Sequence, residues 1–433
     1  MTFTSTERSI AFLCCRELSP ENLTVVLKTN SMYPKLILRS LLRKTNLAYV
    51  LFIAVLVSHS AALFAQTDSL ENKTLQKKKM SLKDPEGGAI DLSEFLASPS
   101  GFLPIPIIIT EPAIGYGGGL ALCFFHPHKG KGGKSVTPDI TGVAGLGTQN
   151  KTWLVGAFHS HVFGDDRVRT VTAIAKTNIS IKYYGNNNEF LSKNPVTLKM
   201  DSWVAMQNVQ VRLGATRWYA GLSYTFFQAE TSLDTIPDRP LLNLILKSLE
   251  GTSTISMIEP RINFDNRDNI FTPTKGFNAG LIFTYNATWL GADDDYYSLN
   301  PYFLGYVPIA RGLYSSWRFD GKYLIGEAPL YAYPFVNLRG IPALRYQSDN
   351  TMVFETEWRY EIYRRWSVTA FSGGGKAFES VDSFDNIDWA YSIGTGIRYK
   401  LARALGMHTG LDFAWGNGKD FAFYIVVGSS WSK

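Results

Sequence analysis

The tightest constraint on this chain is a stretch whose charges and apolar side chains separate by parity. Between Met352 and Ile362, Glu355, Glu357, Arg359 and Glu361 fall on alternate positions, and Met352, Phe354, Trp358, Tyr360 and Ile362 fall on the intervening ones. An extended strand sends successive side chains to opposite faces, so one face is charged and the other is a wall of bulky apolar groups. A water-soluble sandwich does not need that arrangement. A transmembrane barrel does, with lipid outside and a polar lumen within. Just upstream, Asn337, Leu338, Arg339, Gly340 and Ile341 put an arginine followed by a glycine in a loop, and such a lumen would hold a buried loop arginine opposite a carboxylate.

The same parity recurs from Phe277 to Trp289. Phe277, Ala279, Leu281, Phe283, Tyr285, Ala287 and Trp289 face one way, and Asn278, Thr284, Asn286 and Thr288 the other. Strands are expected near 102–110, 115–125, 138–149, 152–163, 168–185, 197–213, 217–233, 251–264, 276–290, 295–309, 312–326, 350–363, 366–378, 387–402, 406–415 and 421–431. An even strand number returns both ends to the periplasm, with short inner turns and longer outer loops. Inner turns at 164–167, 215–217, 310–311 and 364–365 and outer loops at 186–196, 234–250, 327–349 and 379–386 fit that scheme. Two connections disobey it: 126–137 is long for an inner turn and 149–150 is short for an outer loop. The fold class read from this pattern is all-β, a 16-stranded antiparallel transmembrane β-barrel over 101–433 with a long outer loop folded into the lumen.

Composition agrees. The chain is 45% hydrophobic and 14% aromatic, which argues against disorder, and its apolar residues are dispersed rather than gathered into membrane helices. The one concentrated apolar run, Leu47 to Val57, follows Lys35, Arg39, Arg43 and Lys44 and precedes Ala61, Ala62, Leu63, Phe64, Ala65 and Gln66. That is the pattern of a secretory signal peptide, so residues 1–65 are expected to be a leader, with 1–31 a mis-called extension before a true start at Met32. Cleavage after Ala62 is the alternative. Cys14 and Cys15 would leave with the leader, and Cys123 would remain as the mature thiol without a disulfide framework. The net charge of +6 comes partly from the leader, and no basic stripe interleaved with aromatics points to nucleic acid.

Residues 66–100 are polar, with a turn at Asp84–Gly88 and a helix-like stretch from Asp91, in which Asp91 and Glu94 resemble a capping box. This segment is expected to be a periplasmic tether, with a plug entering the barrel as the alternative. It is too short for a globular domain.

Several motifs, in order, resemble the bacterial surface-antigen barrels of the BamA/TamA superfamily, which fold or translocate proteins at outer membranes. Phe264, Asp265, Asn266, Arg267 and Asp268, then Phe271, Thr272, Pro273, Thr274, Lys275 and Gly276, look like the family's aspartate-arginine-aspartate turn and its proline-threonine-any-glycine ending. Leu338–Ile341 resembles the lumenal-loop motif, and Glu357–Arg359, Gly394–Tyr399 and Leu411–Gly416 follow in family order. The resemblance implies an outer-membrane location in a Gram-negative-type bacterium and a lumenal latch of Arg339 and Gly340 on Glu357, helped by Glu355. One departure matters: Gly373 stands where the family carries an aspartate that helps hold the loop arginine, which implies a weaker latch. A second is that 66–100 cannot build the family's periplasmic polypeptide-binding modules.

Asp265, Arg267, Asp268, Pro273 and Gly276 are read as a strand-end motif that sets its turn. Asp293, Asp294 and Asp295 lack regular oxygen-ligand spacing and are read as a solvated loop tip. His126, His128, His159 and His161 include two short pairs, yet His159 and His161 lie two apart on one strand face without a nearby carboxylate motif, so no metal site or other cofactor is assigned. Gly117, Gly118 and Gly119 read as a packing or bending point in a strand. No nucleophile elbow or phosphate loop marks an enzyme. The function expected is assistance to the insertion or translocation of unfolded outer-membrane polypeptides through a weak seam between the first and last strands, where Gly428, Ser429 and Ser430 offer little packing. A passive pore or structural barrel is the alternative, and outer-membrane lipid is the partner in either case.

Overall fold

The computed structural model describes residues 84, 88–93, 102–111, 113–126, 138–185, 189–233, 247 and 250–431; the expected leader lies outside them. Sixteen strands run in sequence order, each hydrogen-bonded antiparallel to the next. They are β1 Phe102–Ile109, β2 Gly117–His126, β3 Asp139–Thr148, β4 Trp153–Phe163, β5 Val168–Tyr183, β6 Val196–Arg212, β7 Trp218–Leu233 and β8 Gly251–Asp265. Then come β9 Gly276–Asn286, β10 Tyr296–Ala310, β11 Leu313–Gly326, β12 Asn350–Tyr363, β13 Trp366–Phe378, β14 Ala390–Ala402, β15 Met407–Gly416 and β16 Asp420–Val427. Every stretch expected to be a strand is one.

The alternation has the expected sense. Ser202, Asn208, Ser223, Ser256, Asn278 and Asn286 are buried inside the barrel, whereas Trp203, Leu222, Leu281, Phe283, Phe354 and Trp358 are exposed on the outer face. Outward rings form girdles: Trp218, Phe264, Phe277 and Phe303 follow one another at 5.4, 5.1 and 5.8 Å near the inner rim, and Tyr285 stacks on Tyr297 at 4.7 Å near the outer one.

Three boundaries differ by three or more residues, each for a local reason. β9 stops at Asn286 because the Asp295 carboxylate accepts from the Thr288 N–H at 2.9 Å and its hydroxyl at 3.0 Å, turning Thr288–Leu290 into a 3-10 turn. Ala287 is therefore fully buried rather than facing lipid. The same contacts correct the reading of the acidic tip as merely solvated, since Asp293 also accepts the Thr254 N–H at 2.7 Å. β14 starts at Ala390 because Val381–Asn386 winds into a 3-10 helix. β16 ends at Val427 because Gly428, at φ +81°, turns the chain. Ser429, Ser430 and Trp431 thus leave the wall and pack inside, with Trp431 buried among Tyr302, Leu304 and Tyr306.

The short outer connection at 149–150 is real, closed by the Thr148 N–H to the Thr152 carbonyl at 2.8 Å. The long one after β2 lies outside the described residues. No ladder joins β1 to β16. The two edges meet through the Thr110 hydroxyl, which donates to the Phe423 carbonyl.

Candidate functional site

The loop 327–349, between β11 and β12, folds back into the barrel as an irregular hairpin. The Val336 N–H reaches the Tyr346 carbonyl at 2.9 Å and the Ser348 N–H the Pro334 carbonyl at 3.1 Å. Its Val336, Leu338 and Ile341 bury against Val353, Ala377 and Ala390 of the inner wall. Gly340 is needed twice over. Its φ is +87°, which glycine adopts without a steric penalty, and a Cβ there would lie 3.1 Å from backbone atoms of Ala414, Trp415 and Gly416. The Gly340 N–H donates to the Tyr424 hydroxyl at 2.9 Å.

This seats Arg339 in a dense ionic cluster. Nε donates to Glu355 Oε1 at 2.8 Å, and Nη1 reaches Glu357 Oε2 and Asp412 Oδ2, each at 2.7 Å. The guanidinium lies 3.5 Å from the centroid of the Phe371 ring. Two more arginines complete the cluster. Arg318 Nη1 donates to Glu355 Oε2 at 3.1 Å, and Arg398 grips Asp412 with two bonds of 2.5 and 3.0 Å. The turned-in end of the chain joins it, with Trp431 Nε1 donating to Glu355 Oε2 at 2.9 Å and the Ser430 hydroxyl to Glu357 Oε2 at 3.1 Å. Arg318, Arg339 and Arg398 thus face Glu355, Glu357 and Asp412, cation for anion. Buried charges are tolerable only when so paired and hydrogen-bonded.

Gly373, where the resemblance implies a lost carboxylate, leaves no vacancy. A Cβ at Gly373 would sit 2.8 Å from Leu338 Cδ2 and from the Phe354 carbonyl, so Leu338 occupies the room an aspartate would need. Asp412, from β15, supplies a third carboxylate to Arg339 instead.

Two further contacts pin the same loop. Arg345 Nη1 reaches both carboxylate oxygens of Asp420, at 2.7 and 2.8 Å, and Glu111 Oε1, between β1 and β2, accepts the Ala343 N–H at 3.0 Å. Beside the loop, between it and the β5–β11 wall, lies a cavity of about 610 Å³ lined by Ile181, Met200, Phe227, Met257, Tyr296 and Lys322 among others.

The strand-end motif is a separate constellation at the inner rim. Arg267 clasps Asp265 through bonds of 2.9 and 3.0 Å, and Arg169 of β5 approaches the same carboxylate at 3.4 Å. Asp268 accepts the Thr274 and Lys275 N–H groups at 2.9 and 3.1 Å. Pro273 is buried, and Gly276 holds φ +97° with the Asn266 carbonyl 2.5 Å from where a Cβ would lie. The turn also reaches β14–β15, where Asn269 Nδ2 donates to the Leu405 carbonyl at 2.8 Å.

Sequence reading did not assign Arg318, Arg398, Asp412 or Trp431 to the cluster. A parity signal existed for the first three, because each is a charge on the inward face of its strand. It also missed a clamp at the inner rim. Arg365, in the β12–β13 turn, donates to Asp84 Oδ2 at 2.6 Å and Asp91 Oδ2 at 2.7 Å, while the Leu92 N–H meets the Leu401 carbonyl at 2.9 Å. Burial pushes the Asp91 carboxyl up, but hydrogen bonds from Ser93 and Arg365 outweigh this and hold it at about 2, below its ordinary 3.8. Asp91 also accepts the Ser93 N–H at 2.8 Å, a cap at the position expected; Glu94 lies outside the described residues. His161 lies 2.8 Å from Asp139, a carboxylate the sequence reading did not place there; among the described residues no group of metal ligands assembles.

A nearly closed run of antiparallel strands, lipid-facing outside and ion-paired within, defines a transmembrane β-barrel of the outer-membrane type. Residues 142–333 match the Omp85 superfamily domain. Among solved structures, it is similar to BamA from Haemophilus ducreyi lacking POTRA domains 1-3, at 14% identity and a TM-score of 0.49, covering 76% of this chain and 70% of that one. It is also similar to CdiB from Escherichia coli, at 10% identity and a TM-score of 0.51, covering 75% of this chain and 62% of that one. Among curated proteins, sequence comparison finds no match.

Proposed function

We propose that this barrel assists the insertion or translocation of outer-membrane polypeptides, by a route that leaves through its wall and without catalysing a covalent reaction. The observation that carries this reading is the missing ladder between β1 and β16. All other neighbouring strands are zipped by backbone hydrogen bonds, and this pair shares the Thr110 hydroxyl bond in their place. In lipid, backbone groups need partners, so an unzipped wall is a place where a new strand gains most by adding. The lumenal loop supports the same reading from the other side. Anchored through Arg339, Arg345 and Ala343, it occupies the lumen that a passive pore would leave open. On this reading the Arg339 cluster is a latch that keeps the barrel closed to solutes, and the Asp265–Gly276 motif shapes the inner rim.

The test is reconstitution of the full chain in vesicles with a urea-unfolded outer-membrane barrel as substrate. Faster appearance of the folded substrate, with no steady ion conductance, is the expected result. Conductance without any acceleration of folding would replace this reading with the passive pore.

A further inference from the structure

The two edges of the seam are chemically unequal, and prolines make them so. A proline nitrogen has no proton, so a proline facing its neighbour interrupts the ladder there. The barrel contains its own controls. Pro260 is paired with Leu222 in an unbroken β7–β8 register, yet β8–β9 pairing skips Glu259 and Pro260. Pro301 is paired with Leu281 in an unbroken β9–β10 register, yet β10–β11 pairing skips Asn300 and Pro301, and the Asn300 side chain donates to the Gly321 carbonyl in compensation.

By the same criterion, Pro104 and Pro106 face away from β2. Their pairings with Leu122 and Leu120 lie within a β1–β2 register that runs without a gap from Phe102 to Ile109. The Ile107 carbonyl, of opposite parity, lies on the β2 side, 3.4 Å from where a Gly118 Cβ would be. The free edge of β1 therefore presents the backbone of Phe102, Pro104, Pro106 and Ile108, and two of those positions have no N–H to give.

β16 is complete. The Val426 carbonyl accepts from the Thr409 hydroxyl of β15 at 3.1 Å, and the Gly428 N–H donates to the His408 carbonyl at 2.7 Å, so even positions face β15. The Phe423 carbonyl, held by Thr110, points to the seam. Parity then gives the seam the N–H and C=O groups of Phe421, Phe423, Ile425 and Val427, none of them proline. The same asymmetry accords with an unzipped seam: β1 lacks two of the donors that β16 would need.

We propose that the edge of β16, and not that of β1, receives an incoming polypeptide strand of alternating apolar and polar residues. This rests on the insertion reading. A strand laid on β1 would leave two of its carbonyls without donors in the hydrocarbon, where no water replaces them. Laid on β16, it finds a donor and an acceptor at each alternate residue. It also presents its apolar side chains to lipid beside Phe421 and Val427, which are exposed on the outer face.

The experiment is disulfide trapping by the full chain in phosphatidylethanolamine–phosphatidylglycerol vesicles, in a background without native cysteines. Single cysteines replace Phe421 or Ile425 on β16 and Ile105 or Ile108 on β1. The probe is a urea-unfolded eight-stranded outer-membrane barrel with single cysteines along its terminal strand. Adducts on β16 should exceed those on β1 by more than about tenfold, the ratio that 1.4 kcal/mol sets. Ile425→Pro, which deletes a donor from the free edge without touching the β15 ladder, should abolish most of them while leaving the heat-modifiable gel migration of the barrel unchanged. Pro104→Val with Pro106→Val should let β1 zip onto β16 and lower β16 adducts as well. Equal or greater trapping on β1 overturns the proposal and leaves the insertion reading intact. Accelerated folding with no adduct on either edge does the same. Neither adducts nor acceleration overturns both.

Discussion

Two arginines in this barrel bridge carboxylates from distant parts of the chain, and they do so to different ends. Arg339 sits in the lumen against Glu355, Glu357 and Asp412, all on wall strands and shared with Arg318 and Arg398. Arg365 sits on an inner turn, and its carboxylates, Asp84 and Asp91, belong to a segment ahead of the barrel. Removing the first cation leaves anions buried in a wall that cannot move away. Removing the second frees a strap whose anions can return to water. The same pairing chemistry thus supports architecture in one place and attachment in the other.

The largest expected effect follows from that asymmetry. Arg339→Ala should destabilise the folded barrel by about 3–5 kcal/mol, the usual cost of leaving buried charge uncompensated, read from denaturant unfolding followed by gel migration. A loss below about 1 kcal/mol would mean that the loop relaxes and water enters the cluster. Next, the Arg339→Ala and Glu357→Ala pair should be non-additive by about 1–3 kcal/mol, since the two share a network; additive losses would dissolve the idea of a single latch. Arg365→Ala should leave unfolding unchanged but make residues 84–93 quick to cleave in limited proteolysis. Undiminished protection there would show that the Leu92–Leu401 backbone bond suffices. The smallest effect concerns pH. Asp91 titrates at about 2 when docked and near 3.8 when free, so its contribution to docking is full above the free value and fades as pH falls towards the docked one. The protection factor of the Leu92 amide, corrected for its intrinsic exchange rate, should therefore be constant from neutrality to about pH 4 and fall only below it, and a loss of protection at pH 6 would point to a different group.

Much of this was legible from sequence, and the reason is geometric. A strand has a period of two, and lipid outside makes that period visible, so the sixteen strands and the lumenal facing of Glu355 and Glu357 could all be read from neighbours in the chain. Partners across the lumen could not. Asp412 was legible as an inward charge in a family-like stretch, but parity does not say which inward charges meet. The occupant of the space at Gly373 was hidden for the same reason, because a missing aspartate shows nothing of Leu338 filling its place. Trp431 was hidden by Gly428, since an apolar residue after a strand reads as more strand until a turn points it inward. The Arg365 clamp was hidden because its carboxylates lie in a polar segment whose composition suggests only a tether.

Strand length adds a consequence for the bilayer itself. β6 has 17 residues, and β1 and β16 have 8 each. At roughly 3.3 Å per residue and a tilt near 40°, β6 rises about 43 Å along the membrane normal and the seam strands only about 20 Å. The apolar band of such barrels is about 25 Å tall, so the wall is shorter than the lipid it meets at the one place where it is unzipped. Acyl chains that meet the seam strands would have to shorten or disorder to match them, more than those beside β6.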